Sequence, residues 1–372
     1  MSCSLCRLPF TATPRSQNLR PLPPGTLTEK QYNYLQWGFV LGRNVPGGCL
    51  IMEYFQTGTF GNRPQIPLII NVAWESEAGT IVALHTVCAT ILREMFEATD
   101  LSFKSIIQLC LIEQVLGPTQ RGPNAGRFKD FDYEAVGQDK VDTRPFWKLN
   151  AKTEMYEFDW ATFKACGLDW TLSRPDVFPR FHSNVSPQRL VLAFDASTQE
   201  SVLTRQPFDI LHLLLPYFTN KSFVALLSTC RFFRYHALTT FQPQARTRVL
   251  GLGWAVPLPA EYAEACRSLL YKHEHKVAAA TSIPMAHPEH SSMHGDWFLY
   301  LSQVHRMPAL RARRRIWDLS AAIRREYTTR HACSEYADIR NADGTTVKSK
   351  ARKYLEEFMG QMYMMTSLLN KS

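Results

Sequence analysis

Residues 207–238 read PFDILHLLLPYFTNKSFVALLSTCRFFRYHAL, and the class of the chain turns on this stretch. Pro207 suits the first position of a helix, where its missing N–H costs nothing. Ile210, Leu211, Leu214 and Leu215 then define a short, strongly apolar helix that Pro216 limits. After a turn at Thr219-Asn220-Lys221, Ser222 is placed to cap a second helix. In that helix Phe223, Leu226, Leu227, Cys230, Phe233 and Ala237 recur at three- and four-residue intervals. Two short helices this apolar carry more hydrophobic surface than one small pair buries internally. Either the rest of the C-terminal half covers them, or they offer a docking surface to another protein.

Outward from this stretch, helical periodicity continues to Tyr271. Residues 273–293, rich in Ala, His, Ser and Pro, predict a flexible loop. Further helices are expected over Asp296 to His305, Ala309 to about Tyr327, and Lys350 to Leu369, which makes the C-terminal half all-α. The N-terminal side reads differently. A Pro-rich connector (14–25) precedes short strands at 35–41, 49–55, 66–74 and 80–84, with Gly and Asn clusters between them. Helices are expected from Thr86 to about Ala98 and from Ser102 to about Leu116. Residues 1–127 therefore form a small α+β domain. Residues 128–205 are an aromatic-rich extension, holding Trp147, Trp160 and Trp170, that ends in a connector with a strand expected at Leu190 to Phe194. The paired apolar helices occupy 206–250, and 251–372 are the C-terminal helical region.

The 372 residues are 45% hydrophobic and 20% charged, which excludes a disordered chain. At roughly 150 residues per domain, two or three folded units are expected. No apolar run approaches the ~20 residues a bilayer needs, so no membrane partner is expected. Arg7, Pro9 and Pro14 interrupt any secretory signal. Cys110, Cys166, Cys230 and Cys333 sit singly in apolar segments, the usage of reduced, buried thiols. The chain is expected in the cytoplasm, the nucleus or both. It lacks a phosphate-binding Gly-rich loop, a dinucleotide fingerprint, an H-E-x-x-H motif and a nucleophile elbow, so it is read as non-catalytic.

Cys3-Ser4-Leu5-Cys6 has the spacing that lets two thiolates grip one zinc ion from a tight turn. His85-Thr86-Val87-Cys88 is its complement, because residues three apart at a helix start share a face and the helix dipole favours a thiolate there. A turn-borne C-x-x-C with a helix-borne H-x-x-C is the pattern of a treble-clef-like structural zinc site with ligands Cys3, Cys6, His85 and Cys88. The 78 residues between Cys6 and His85 weaken the signal. The alternative makes Cys88 a buried thiol of an apolar helix face, His85 a surface residue and the N-terminal pair frayed.

The formal charge of +9 is concentrated. Between Arg306 and Arg330, eight Arg stand against Asp318 and Glu326. Arg311 and Arg313 to Arg315 fall on a helix whose apolar side is Leu310, Ile316, Trp317, Leu319 and Ile323. They are expected to be a solvated face; a nuclear-import signal or a nucleic-acid contact are the alternatives.

The ending Cys230-Arg231-Phe232-Phe233-Arg234, at its distance from Pro207, resembles the F-box, whose pattern runs from Leu-Pro through a first apolar helix to Cys-[Arg/Lys]-x-[Phe/Trp]-[Arg/Lys]. The likeness covers some 32 residues, with Gln206 where Leu is usual. With the Cys pair, His85-x-x-Cys88, the Leu252-Gly253-Trp254…Pro259 segment and Asp296-Trp297, the chain resembles a family of uncharacterised fungal F-box proteins. The resemblance implies a substrate-recruiting subunit of an SCF-type, cullin-based ubiquitin ligase, which docks a Skp-family adaptor and presents an unknown target. Pro207, Ile210, Leu211, Leu214, Leu215, Leu226, Leu227 and Phe232 would supply the adaptor-facing surface and its support. The other reading is a zinc-containing nucleic-acid-binding or regulatory protein that uses the basic helix.

Overall fold

The computed structural model describes residues 2–11, 22–35, 39–43, 50–54, 80–96, 103–117, 122–124, 126–152, 154–193, 202–262 and 295–357. The expected strand at 66–74, the loop at 273–293 and the helical stretches at 263–271 and 358–369 lie outside them. The described residues are mostly helical with a few short strands. They fall into two compact units, one of residues 1–174 with 315–372 and one of residues 175–314.

In the first unit, Thr28 caps the helix Glu29–Tyr34 through a capping box with Gln31, and the helix ends at Leu35, the first residue of the expected strand at 35–41. Three antiparallel strands follow, β1 (Phe39–Arg43), β2 (Leu50–Tyr54) and β3 (Thr80–Leu84), in the order β2-β1-β3. β3 runs directly into the helix Thr86–Met95, which buries Cys88, Ala89, Ile91 and Leu92. The helix Phe103–Leu116 comes next and buries Leu111, Ile112 and Leu116 near its end.

The aromatic-rich extension resolves into a hairpin. Trp147–Asn150 pairs antiparallel with Met155–Phe158, and the helix Trp160–Ala165 follows, capped by Asp159. Phe146, Trp147, Phe158, Trp160 and Phe163 pack edge-on or tilted, with ring centroids 4.8–6.0 Å apart, the arrangement the ring quadrupole favours.

The expectation of an all-α C-terminal half is corrected by a small hairpin, Ile339–Arg340 with Thr346–Val347. Asp343-Gly344 supplies its turn, with Gly344 at φ 82°. Ahead of it stands the helix Pro308–His331, of which residues 308–314 count with the second unit and 315–331 with the first.

The second unit is helical. Residues 187–193, expected to include a strand, are a helix (Pro187–Ala193): Ser186 precedes a Pro suited to the first helical position, and the Leu190 N–H donates to the Ser186 carbonyl. The helices Phe208–Leu214, Asn220–Leu227, Arg231–Thr239 and Gln242–Gly251 follow at short intervals. They share a core with Trp297–Val304, built from Phe223, Leu227, Phe233, Ala237, Phe241, Val249, Trp297 and Leu301. Cys166, Cys230 and Cys333 are exposed rather than buried; Cys166 and Cys230 sit at helix ends, where an apolar neighbourhood in sequence does not dictate burial. No helix among the described residues is long and apolar enough to cross a membrane.

Candidate functional site

The N-terminus folds into a tight knuckle. Ser2 and Pro9 form an antiparallel bridge, the Cys3 N–H donates to the Leu8 carbonyl at 2.9 Å, and the Arg7 N–H donates to the Cys3 carbonyl at 3.1 Å. Closing this turn puts Arg7 at φ 70°, a left-handed conformation uncommon outside glycine. The knuckle is stitched to the end of β3: the Ser4 N–H donates to the Ala83 carbonyl (2.6 Å) and the Ala83 N–H to Ser4 Oγ (3.1 Å). Because β3 leads straight into the Thr86–Met95 helix, this pairing delivers the helix start to the knuckle. His85 is the N-cap residue and Cys88 lies in the first turn.

All four expected ligands meet there. The donor atoms of Cys3, Cys6, His85 and Cys88 lie within 4.8 Å of one another, and all four residues are buried. Cys6 Sγ is 3.3 Å from His85 Nδ1, against the ~3.5 Å that separates a sulfur and a nitrogen on one tetrahedral ion with bonds of ~2.0–2.3 Å. His85 Nε2 is buried with no hydrogen-bond partner among the described residues, and the rings of Phe10 and Tyr34 flank the imidazole. The alternative of a frayed Cys pair and a surface histidine does not describe this geometry.

Burial alone would raise the Cys3 thiol, but hydrogen bonds with Cys6 and Cys88 and the nearby His85 hold it well below its usual value. Burial would lower His85, yet the sulfurs of Cys6 and Cys3 push it up to about 10. Cys88 is raised by burial and by the same two sulfurs. These shifts favour a thiolate, the form that ligates metals, at Cys3 beside a protonated His85, and disfavour one at Cys88.

Groups from distant parts of the sequence close around it. Tyr133 Oη donates to the Ser4 carbonyl at 2.6 Å, and burial pushes this phenol up to about 12. The Arg127 guanidinium lies over the Tyr133 ring, 4.8 Å from its centroid, and makes a bidentate pair with Glu134 at 2.5 and 2.6 Å. Arg7 Nη1 donates to the Cys3 carbonyl at 3.1 Å. Arg315 Nη1 donates to the Cys6 carbonyl at 2.7 Å. Tyr133, Arg127 and Arg315 escape sequence reasoning, because nothing near them in the chain points to a knuckle more than 120 residues away. Together the residues make a site that can hold a metal ion.

The arginine run is therefore not a uniformly solvated face. Arg311 is exposed, but Arg313 is completely buried, its two terminal nitrogens each 2.8 Å from a Glu261 carboxylate oxygen and its Nε donating to the Trp254 carbonyl. Arg315 is likewise buried.

The apolar helices of the second unit divide into two faces. Leu211, Leu215 and Leu227 are buried and act as core, so they are not surface groups; Leu226 and Phe232 are half-buried and Pro207 is exposed. On the Phe208–Leu214 helix and its extension the exposed large apolar side chains are Ile210 (41%), Leu213 (67%), Leu214 (44%) and Tyr217 (87%), while Val191, Leu192, Val202 and Leu203 are exposed elsewhere in the unit. The first four fall at i, i+3, i+4 and i+7, a single stripe on the outer face of the Phe208–Leu214 helix and its one-turn extension Leu215–Tyr217. Leu213 and Tyr217 go unnoticed in the sequence, where a continuous run of leucines does not show which of them faces outward.

No family model, curated protein or solved structure matches this chain.

Proposed function

We propose that the protein is an F-box-type adaptor-binding subunit that recruits a target to a cullin-based ubiquitin ligase and is itself non-catalytic. The observation that carries this reading is the stripe Ile210, Leu213, Leu214 and Tyr217, exposed on a helix whose opposite face, Leu211 and Leu215, is anchored in the core. Helices that dock into a hydrophobic groove present anchors at this spacing. The stripe lies within the segment that resembles the F-box. Skp-family adaptor should co-elute with the purified full-length protein in a one-to-one complex; no complex at micromolar concentrations would refute the reading. The same experiment separates it from a nucleic-acid-binding role, which requires no adaptor and for which the buried Arg313 and Arg315 leave fewer outward charges than the sequence suggests.

The metal we assign is zinc, in a structural treble-clef-like site. Three thiolates and an imidazole suit a borderline-soft ion, and a closed four-residue set leaves no open coordination position for catalysis. Zinc would tie the knuckle to the Thr86–Met95 helix. Elemental analysis of the purified protein should find about one zinc per chain, and Cys88→Ser should abolish it and lower the thermal stability. A zinc-free protein of equal stability would contradict the assignment.

A further inference from the structure

Arg315 is 7% exposed, and among the described residues no carboxylate pairs with it. A buried guanidinium without a counter-charge is costly, and the other buried arginine of the same run, Arg313, has its carboxylate partner in Glu261. Arg315 instead directs Nη1 to the carbonyl of a metal-ligand candidate, Cys6, and its surroundings include the sulfurs of Cys6, Cys88 and Cys3.

The charge arithmetic of the site supplies what Arg315 lacks. When a divalent ion binds, the protons still held by the sulfurs and by the imidazole are released to solvent and the three sulfurs ligate as thiolates; with a neutral imidazole the centre carries +2 − 3 = −1. Without the ion three thiolates would repel one another at this range, so the negative charge depends on the metal. Resting on the metal reading above, we infer that the loaded centre is an anionic cluster to which Arg315 supplies counter-charge from the far helix, opposite the knuckle's own buried Arg7 on the Cys3 carbonyl. On this inference the ion does more than hold the knuckle to the helix behind it. It also fastens residues 315–331, from the far end of the sequence, to residues 2–11. Arg315 is a positioning residue here: it orients the Cys6 backbone and neutralises the site without touching the ion.

The test uses full-length, zinc-loaded protein. Transfer of zinc to the chromogenic chelator 4-(2-pyridylazo)resorcinol is compared for the wild type, Arg315→Met, which keeps the side-chain volume and removes the charge, and Arg315→Lys, which restores it. Groups that support metal ligands are typically worth ~10–100-fold in affinity, so Arg315→Met should bind zinc at least about tenfold more weakly and Arg315→Lys should recover part of the loss. Cobalt substitution should give the same thiolate charge-transfer bands in all three, showing that the four ligands are unchanged. Zinc held as tightly by Arg315→Met as by the wild type would overturn the inference while leaving the metal site intact. A wild type that takes up neither zinc nor cobalt would overturn both.

If Arg315→Met does not fold, hydrogen exchange on the wild type decides. Withdrawing zinc should deprotect residues 315–323 together with 2–11, while the Trp297–Val304 helix keeps its protection. Unchanged protection of 315–323 would refute the role of Arg315.

Discussion

Arg313 and Arg315 are two residues apart in an unbroken basic helix, yet each is buried for a different reason. Arg313 satisfies its donors on Glu261 and the Trp254 and Pro175 carbonyls, with the Phe178 ring 4.8 Å from its guanidinium carbon. Removing one partner of such a pair strands the other in a low-dielectric interior. Arg313→Gln is therefore expected to cost about 3–5 kcal/mol, read as a fall in the denaturant midpoint, whereas Arg324→Gln on the exposed side should stay within about 0.5 kcal/mol. Equal effects at the two positions would contradict the burial. The sequence shows the charge of these residues and the apolar side of their helix. It does not show that a carboxylate 52 positions upstream, or a knuckle 309 positions upstream, waits for them, because pairings of that range leave no local periodicity.

Among the elements, those with a local signature are the ones legible in the sequence. β3 and the Thr86–Met95 helix start where alternation and the His-x-x-Cys spacing put them, and the four ligands were identified because C-x-x-C and H-x-x-C are short-range patterns. The Glu29–Tyr34 helix has a signal too, the Thr28…Gln31 capping box, but its six residues are too few for helical periodicity to register. The hairpin at 339–347 is announced by Asp343-Gly344 but has two residues per strand, too few for alternation to register. The aromatic extension had no readable period because its order lies in ring-to-ring packing across a hairpin.

The loop at 126–134 makes a prediction of its own. Its Glu134 carboxyl is held below the ordinary carboxylate range by hydrogen bonding to Arg127, against a smaller opposing effect of burial. A carboxylate depressed in the folded state contributes stability that is fully present above its unfolded value, ~4.3, and is lost as pH falls through the lower folded value. The wild type should thus lose stability more steeply than Glu134→Gln as pH falls below about 4.3, as thermal melts on the acid side would show. Parallel acid limbs would mean that the pair does not brace the knuckle-facing loop.

At the scale of the whole molecule, the first unit joins the two ends of the described chain, with residues 2–11 and 315–357 in one compact body, while the helical unit of residues 175–314 is inserted between them in sequence. That nesting is invisible to any left-to-right division, since composition and periodicity mark where elements start but not which ones share a core. The four-residue cluster and the apolar stripe belong to different units, and in the function proposed above they serve different ends: a bound metal ties distant segments of the first unit, and the stripe offers the second unit's outer helix face to a partner. The central claim is that this stripe binds the adaptor. Titration calorimetry of purified Skp-family adaptor into the full-length protein measures it directly, with Leu213→Ala plus Tyr217→Ala as the comparison. Both side chains are exposed, so the variant should keep its helical content and melting temperature. Anchors in a hydrophobic pocket are worth about 2 kcal/mol or more each, so the wild type should bind and the double variant should bind at least about a hundredfold more weakly. Equal binding by the two, or none by the wild type, would contradict it.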